Sequence, residues 1–301
     1  MSLNRPLSRI SIRLLALCFL PATLLAQQPP SGVTTHHSLW QARGKSNVVY
    51  LLGSVHILKA ENYPLPAVID SAFTNSAVVA FETDIDAMEQ PELQMKIMAK
   101  ARLPDGSTLR DQLSPTVYAS FTNHVNQIGL PVEMFEPLKP ALAAITLAVV
   151  DLQKLGFDPD YGLDKHFFAL AKKAGKQTAA LETVDFQVSL LTDLSKEEGE
   201  LVMQTTLKDI DRLKTDIADL LKAWQTGDAD ALEKLLNEAS REAPAIYKRL
   251  LTDRSANWVP KIQEWLRGDK NVIVIVGAGH LVGKDGVVEL LRKSGQKVEQ
   301  L

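Results

Sequence analysis

Two segments near opposite ends of the chain repeat one pattern: Asn47-Val-Val-Tyr-Leu-Leu-Gly-Ser-Val-His56 and Asn271-Val-Ile-Val-Ile-Val-Gly-Ala-Gly-His280. In each, an asparagine opens an unbroken run of β-branched, aromatic or leucine residues, the profile of a strand buried on both faces. Gly-x-x-His then closes the run. Ligands of open α/β sheets bind beyond the carboxyl ends of the strands, where glycine lets the backbone turn sharply or approach a ligand closely. The pattern therefore predicts that His56 and His280 face one crevice, with Gly53, Ser54 and Gly277 among the residues lining it. Downstream of the first copy, residues 65–76 read as a helix leading into a strand at 77–81. Downstream of the second, residues 286–294 read as a helix leading into a strand at 297–301. Parallel strands need such helical crossovers. The expectation is an α/β fold in which two pseudo-repeated halves, each strand, Gly-x-x-His, helix and strand, form a mixed sheet core, with the final strand an integral part.

The remaining segments supply cover for that sheet. Residues 38–42 can pair with 48–52 as a hairpin across the turn from Arg43 to Ser46. Residues 137–155 are mostly Ala, Leu, Ile and Val, too few to span a bilayer but enough for a buried helix. Gly162 to Gly175 reads as an amphipathic helix closed by glycine, followed by a strand at 177–181. From Ser195, which forms a capping box with Glu198, the pattern is helical to Arg267, with Leu213, Ile217, Leu220, Leu221 and Trp224 on one face. Gly227 and Pro244 should divide it into about three helices. A helical region over about 184–268 would thus sit on the sheet as a lid or flank.

At the amino terminus Arg5, Arg9 and Arg13 precede an apolar run at 14–25 and the small residue Ala26. This is the pattern of a secretory signal peptide, 1–26, leaving a domain of 27–301 in the periplasm or outside the cell, without a stable membrane anchor. The only cysteine, Cys18, lies in the leader, so the mature domain has neither a disulfide nor a thiolate ligand. Acidic residues number 36 against 33 basic, three of the latter in the leader, and no basic cluster follows it. That distribution excludes a nucleic-acid partner and leaves a peptide or small molecule.

Hydrolysis at a metal site needs imidazoles and carboxylates converging on one ion with a coordination position left open. His56 and His280 meet the first requirement. Glu82 stands just past the strand at 77–81, with Asp84 and Asp86 as nearby substitutes, and Glu182 repeats the local Glu-Thr pattern at the end of another strand. A carboxylate beyond a buried strand is costly unless paired or ligated, which makes both positions informative. His166, beside Asp164 on its helix, reads as a supporting or structural residue, and His36, His37 and His124 as solvated. No His-Glu-x-x-His, Gly-x-Ser-x-Gly or Walker loop is present, and no mature cysteine is available for thiol chemistry. Ser54 lies two residues from His56 but would need a separate base and oxyanion hole to act as a nucleophile.

Taken together, Gly53-Ser-Val-His56, Phe81-Glu82, Gly162-Leu-Asp164, Leu181-Glu-Thr183 with Gln187, Asp253-Arg254 with Trp258, and Gly277-Ala-Gly-His280-Leu-Val-Gly283 resemble the TraB/GumN family, which includes the Tiki proteases. The resemblance spans nearly the whole mature chain. It implies a fold related to erythromycin esterases and to a haem-binding lipoprotein family, and a metal-dependent peptidase activity with manganese or cobalt rather than zinc. It makes His56, Glu82 and His280 the metal or catalytic core, lined by Asp164 and Glu182. Arg254 would hold a substrate carboxylate or an oxyanion, a role suited to a guanidinium. Where many relatives have Arg-Asn, this chain has Arg254-Ser255, with Asn257 further on. The resulting expectation is a metal-dependent hydrolase in which Glu82 ligates the ion or acts as general base. The alternatives are a metal-free His/Glu hydrolase, or a protein that captures a peptide or flat cofactor without turnover.

Overall fold

The two repeated phrases form adjacent strands at the centre of one six-stranded sheet. The computed structural model describes residues 36–301 apart from residue 211; the leader and its cleavage point lie outside them. The strands are β1 Leu39–Arg43, β2 Val48–Ser54, β3 Val78–Phe81, β4 Gln177–Ala180, β5 Val272–Gly277 and β6 Val298–Gln300, in the order β4-β3-β5-β2-β1-β6. β5 runs parallel to both β2 and β3, and β3 parallel to β4, while β1 is antiparallel to β2 and β6. Gly53 lies opposite Val276 and Ser54 opposite Gly277, so both Gly-x-x-His motifs leave the sheet side by side at the same edge.

All six residues of β5 are buried, as its uninterrupted apolar run requires of a strand covered on both faces. The asparagines that open the two phrases fasten the opposite ends of these strands. Asn271 Oδ1 accepts the Val48 N–H at 2.8 Å, and Asn47 Nδ2 donates to the carbonyls of Trp265 and Lys270, each at 2.8 Å.

The longer helices are α1 Ala67–Asn75, α2 Pro91–Ala101, α3 Pro115–Gln127, α4 Pro140–Lys154, α5 Leu163–Lys173, α6 Val184–Thr192, α7 Lys196–Ile210, α8 Leu213–Gln225, α9 Ala229–Glu242, α10 Asp253–Arg267 and α11 Val287–Lys293. After β2, α1 returns the chain to β3 on the far side of β5. After β5, α11 carries it to β6, beyond both β2 and β1. The two crossovers share an element order but land at different places in the sheet.

α4 is the buried helix expected from its composition, and with α3 and α7 it builds a second core around Phe121, Phe135, Leu147 and Met203. The capping box at the start of α7 is formed, with Glu198 accepting the Ser195 N–H at 2.8 Å and Ser195 Oγ accepting the Glu198 N–H at 3.2 Å. The stretch to Arg267 is more divided than its periodicity suggested, because α7 and α8 are separate and Pro244 opens a short helix, Pro244–Tyr247, instead of only ending one. Proline fits that first-turn position, where its fixed φ is helical and no N–H is needed. Leu213, Ile217, Leu220, Leu221 and Trp224 all pack into the sheet core. Trp224 Nε1 donates to the Gly53 carbonyl at 2.8 Å, which fixes α8 over the end of β2.

The last strand closes an edge of the sheet. Val298 is buried, and the Leu301 N–H donates to the Leu39 carbonyl at 2.9 Å. Deleting residues 297–301 leaves the outer backbone groups of β1 without partners. The melting temperature should fall by about 5 °C or more, since each kcal/mol lost lowers it by roughly 2–4 °C in a domain of this size. An unchanged melting curve would show the strand to be dispensable.

Candidate active site

Beyond the shared edge of β2, β5, β3 and β4, six ionisable or imidazole side chains meet: His56, Glu82, Asp164, Glu182, Arg254 and His280. His56 follows β2 and is held from behind. Its Nδ1 lies 2.5 Å from Asp164 Oδ2, and Ser54 Oγ donates to the same oxygen at 2.7 Å. An ionised carboxylate can only accept, so the His56 proton sits on Nδ1 and the Nε2 lone pair points into the cleft. Ser54 is fully buried, and its hydroxyl serves Asp164.

Asp164 reaches His56 because the start of α5 is pressed against the strand end, with the Leu163 N–H donating to the Val55 carbonyl at 3.1 Å. Only glycine fits at 162, where an added Cβ would lie 2.2 Å from the His56 carbonyl oxygen. Gly162→Ala should therefore push α5 from the strand end and cost about 1–3 kcal/mol, as overpacking does elsewhere. Thermal melting measures the loss; a variant as stable as the parent would mean the backbone yields at no cost. Gly53 has a related role, since a Cβ there would meet Ala278 at 3.1 Å, where the two motifs pass each other.

Glu82 follows β3 and is buried. Its Oε1 accepts the Gly277 N–H at 2.7 Å, and its Oε2 accepts Arg254 Nη2 at 2.5 Å and Gln187 Nε2 at 3.2 Å. Burial alone would raise its pKa. Arg254, the two imidazoles and the Gly277 N–H outweigh that and hold the carboxyl well below the usual carboxylate range. Glu82 is thus a fixed anion and a poor proton acceptor.

His280 is almost wholly buried, its ring 4.3 Å from that of Trp258. Arg254 Nη1 approaches its Nε2 at 3.1 Å, and Ser255 Oγ lies 3.0 Å from Nδ1. A guanidinium only donates, so Nε2 must accept, and Nδ1 carries the proton given to Ser255. Burial and the adjacent guanidinium lower its pKa to about 3, so this imidazole is neutral at physiological pH.

Arg254, in the first turn of α10, has all five N–H donors engaged. Nε is shared between both Glu182 oxygens, at 2.9 and 3.1 Å; Nη1 serves the Leu250 carbonyl at 3.0 Å and His280; Nη2 serves Glu82 and, at 2.8 Å, Glu182. No donor is left for the substrate carboxylate or oxyanion expected of it from sequence. For Glu182, burial outweighs Arg254 and raises the pKa. Asp84 instead caps the short helix Ile85–Met88, Asp86 pairs with Lys172, and Asn257 is exposed. His124, expected to be solvated, pairs with Asp151 at 2.8 Å in the second core.

The sequence profile of the TraB/PrgY/gumN family matches residues 38–300, a span that takes in every residue of this cluster. The chain belongs to that family. It is 23% identical over 243 residues to YbaP, an uncharacterised protein of Escherichia coli K12, across 81% of this chain and 87% of the relative. It is 22% identical to human Metalloprotease TIKI1 over 93% of this chain and 65% of that protein, and 23% identical to Metalloprotease TIKI2 of Xenopus tropicalis over 95% and 67%. No solved structure matches.

Metalloprotease relatives imply a divalent ion, and the donor set of this family member suits one. His56 Nε2 and His280 Nε2 each lie 4.0 Å from the same oxygen, Glu82 Oε1. The carboxylate behind His56 is the arrangement that orients metal-ligating imidazoles. Two carboxylates, Glu82 and Glu182, face the one guanidinium of Arg254, and Asp164 adds a third negative charge behind His56, a balance that favours an added positive charge. The spacing is wider than a closed site, whose ligand bonds are about 2 Å, and no ready-made group of three ligands exists among the described residues.

Ser255 and Trp258 were named from sequence only within the family pattern, with no link to His280. Burial of that imidazole beneath α10 calls for hydrogen-bond partners, and Ser255, next to Arg254, and the Leu251 backbone provide them.

Proposed function

We propose that this protein is a periplasmic or secreted hydrolase acting on peptides, in which His56, Glu82 and His280 hold a divalent ion, manganese or cobalt. The observation that carries the reading is the convergence of two imidazole Nε2 atoms on one carboxylate oxygen, with Asp164 fixing the tautomer of His56. Relatives named as metalloproteases support the reaction class. An ion held there supplies Lewis acidity to the scissile carbonyl. The protein's own groups divide the remaining work. Asp164 and Ser54 keep His56 Nε2 aimed into the cleft, Glu82 stays ionised and contributes charge, and Ser255 hydrogen-bonds His280 Nδ1 and helps orient the ring. Among the described residues no helix is long and apolar enough to cross a membrane.

A second reading within the hydrolases is favoured by the bond from Arg254 to His280 Nε2. With that lone pair engaged, His56, backed by Asp164, serves as general base without a metal. Metal analysis of the purified mature protein beside peptide-library cleavage, with and without chelator, separates the two. Bound manganese or cobalt with chelator-sensitive cleavage supports the first. Chelator-insensitive cleavage supports the second, and a retained ligand with no cleavage of any peptide would leave a binding protein.

A further inference from the structure

An imidazole Nε2 has a single lone pair, so it can accept an N–H or bind an ion, but not both at once. At His280 that lone pair is taken by Arg254 Nη1 at 3.1 Å. The same guanidinium, through Nη2, holds Glu82 Oε2. Arg254 therefore engages two of the three ligands on which the metal reading rests, as the resident cation of the site.

We propose that Arg254 is the gate to metal loading, competing with the ion for His280 and withdrawing toward Glu182 when the ion binds. The inference rests on the metal-dependent reading. The geometry makes the withdrawal small. Glu182 already accepts from both Nε and Nη2, so it anchors the guanidinium as it pivots, and the Leu250 carbonyl, 3.0 Å from Nη1 before release, stays within reach of that nitrogen. Of its own bonds, Arg254 has to surrender only the one to His280. Glu82 need not be released, because a carboxylate offers about four lone-pair sites and can accept Arg254 on Oε2 while Oε1 faces the two imidazoles. Trp258 supports both states: its ring flanks His280 at 4.3 Å and lies 5.0 Å from the Arg254 guanidinium carbon. The buried end of α10 thus supplies the guanidinium, the hydroxyl that hydrogen-bonds His280 Nδ1, and the ring against which both pack.

The test must separate occupancy of the lone pair from charge, since removing any cation would favour metal binding. Arg254→Lys keeps the positive charge between Glu82 and Glu182 but lacks the planar fork that reaches His280 while holding both carboxylates. Titrations of the chelator-treated protein with Co²⁺, followed by calorimetry and visible absorption, give the affinity and the coordination signature. Arg254→Lys should bind Co²⁺ about 10-fold or more tighter than the parent, the scale set by about one hydrogen bond to be displaced. In a His280→Ala background the gain should vanish. Equal or weaker binding by Arg254→Lys would overturn the gate, as would a gain that persists without His280. Absence of Co²⁺ binding in both parent and Arg254→Lys would remove the metal-dependent reading itself. If Arg254→Lys does not fold, ¹⁵N spectra of the wild type with Zn²⁺ decide the matter. The Arg254 guanidinium signals should shift together with His280 Nε2, and a His280 shift with Arg254 unmoved would refute the proposal.

Discussion

Replacing Asp164 by asparagine should lower peptide turnover by roughly 10²- to 10⁴-fold while the protein remains folded. One oxygen of Asp164 receives both the His56 Nδ1–H and the Ser54 hydroxyl. Asparagine offers an uncharged oxygen or an amide donor in that place. If the amide donates to Nδ1, the imidazole proton moves to Nε2 and the lone pair facing the cleft is lost. If the oxygen accepts, the geometry survives, but the negative charge that raises imidazole basicity does not. Either outcome harms His56 equally as a metal ligand and as a general base, so the prediction does not depend on the choice between them. The measurement is kcat/KM on whichever peptide the library assay identifies, with circular dichroism to confirm the fold. A variant retaining more than about a fifth of parent activity would place the chemistry away from His56.

The central geometry was legible in the sequence because it is written there twice. Identical strand profiles ending in Gly-x-x-His are compatible with adjacent parallel strands, and β2 and β5 pair with their glycines near one another. The cost of burying a carboxylate likewise marked Glu82 and Glu182 as needing partners. Which partner each would take was not legible. Asp164 meets His56 through a contact between a helix start and a strand end, far apart in the chain, that no periodicity encodes. Arg254 was read as facing substrate because a guanidinium suits carboxylates, yet the carboxylates it meets are the protein's own. Its direction depends on how α10 crosses the sheet edge, and helical spacing does not specify that crossing. The division between α7 and α8 leaves no mark in the sequence, because neither glycine nor proline stands there.

Glu82→Gln tests the other half of the cluster, and its largest effect should be on stability. The substitution keeps the side chain's shape and an acceptor for Gly277, but leaves the buried Arg254 with Glu182 as its one carboxylate partner. Breaking one side of a buried ion pair costs about 3 kcal/mol, which lowers the melting temperature by about 6–12 °C at this size. The pH dependence gives a sharper check. Because the folded-state pKa of Glu82 is depressed, its stabilisation is fully present above the unfolded carboxyl pKa of about 4.5 and is lost as pH falls toward the folded value. The stability gap between parent and Glu82→Gln should therefore be constant from pH 7 to about 5 and narrow below about 4.5. His280 imposes a separate trend on both proteins. Held neutral in the fold, with a pKa of about 3 against an ordinary 6.5, it makes stability decline as pH falls through that interval, because the unfolded chain takes up the proton first. Subtracting one melting series from the other removes most of the histidine trend, because His280 stays neutral in both folded proteins over most of that interval, and leaves Glu82 with its coupling to Glu182. A gap that stays constant down to pH 3 would mean that Glu82 is not the anion Arg254 depends on, and that Glu182 alone holds the guanidinium in place.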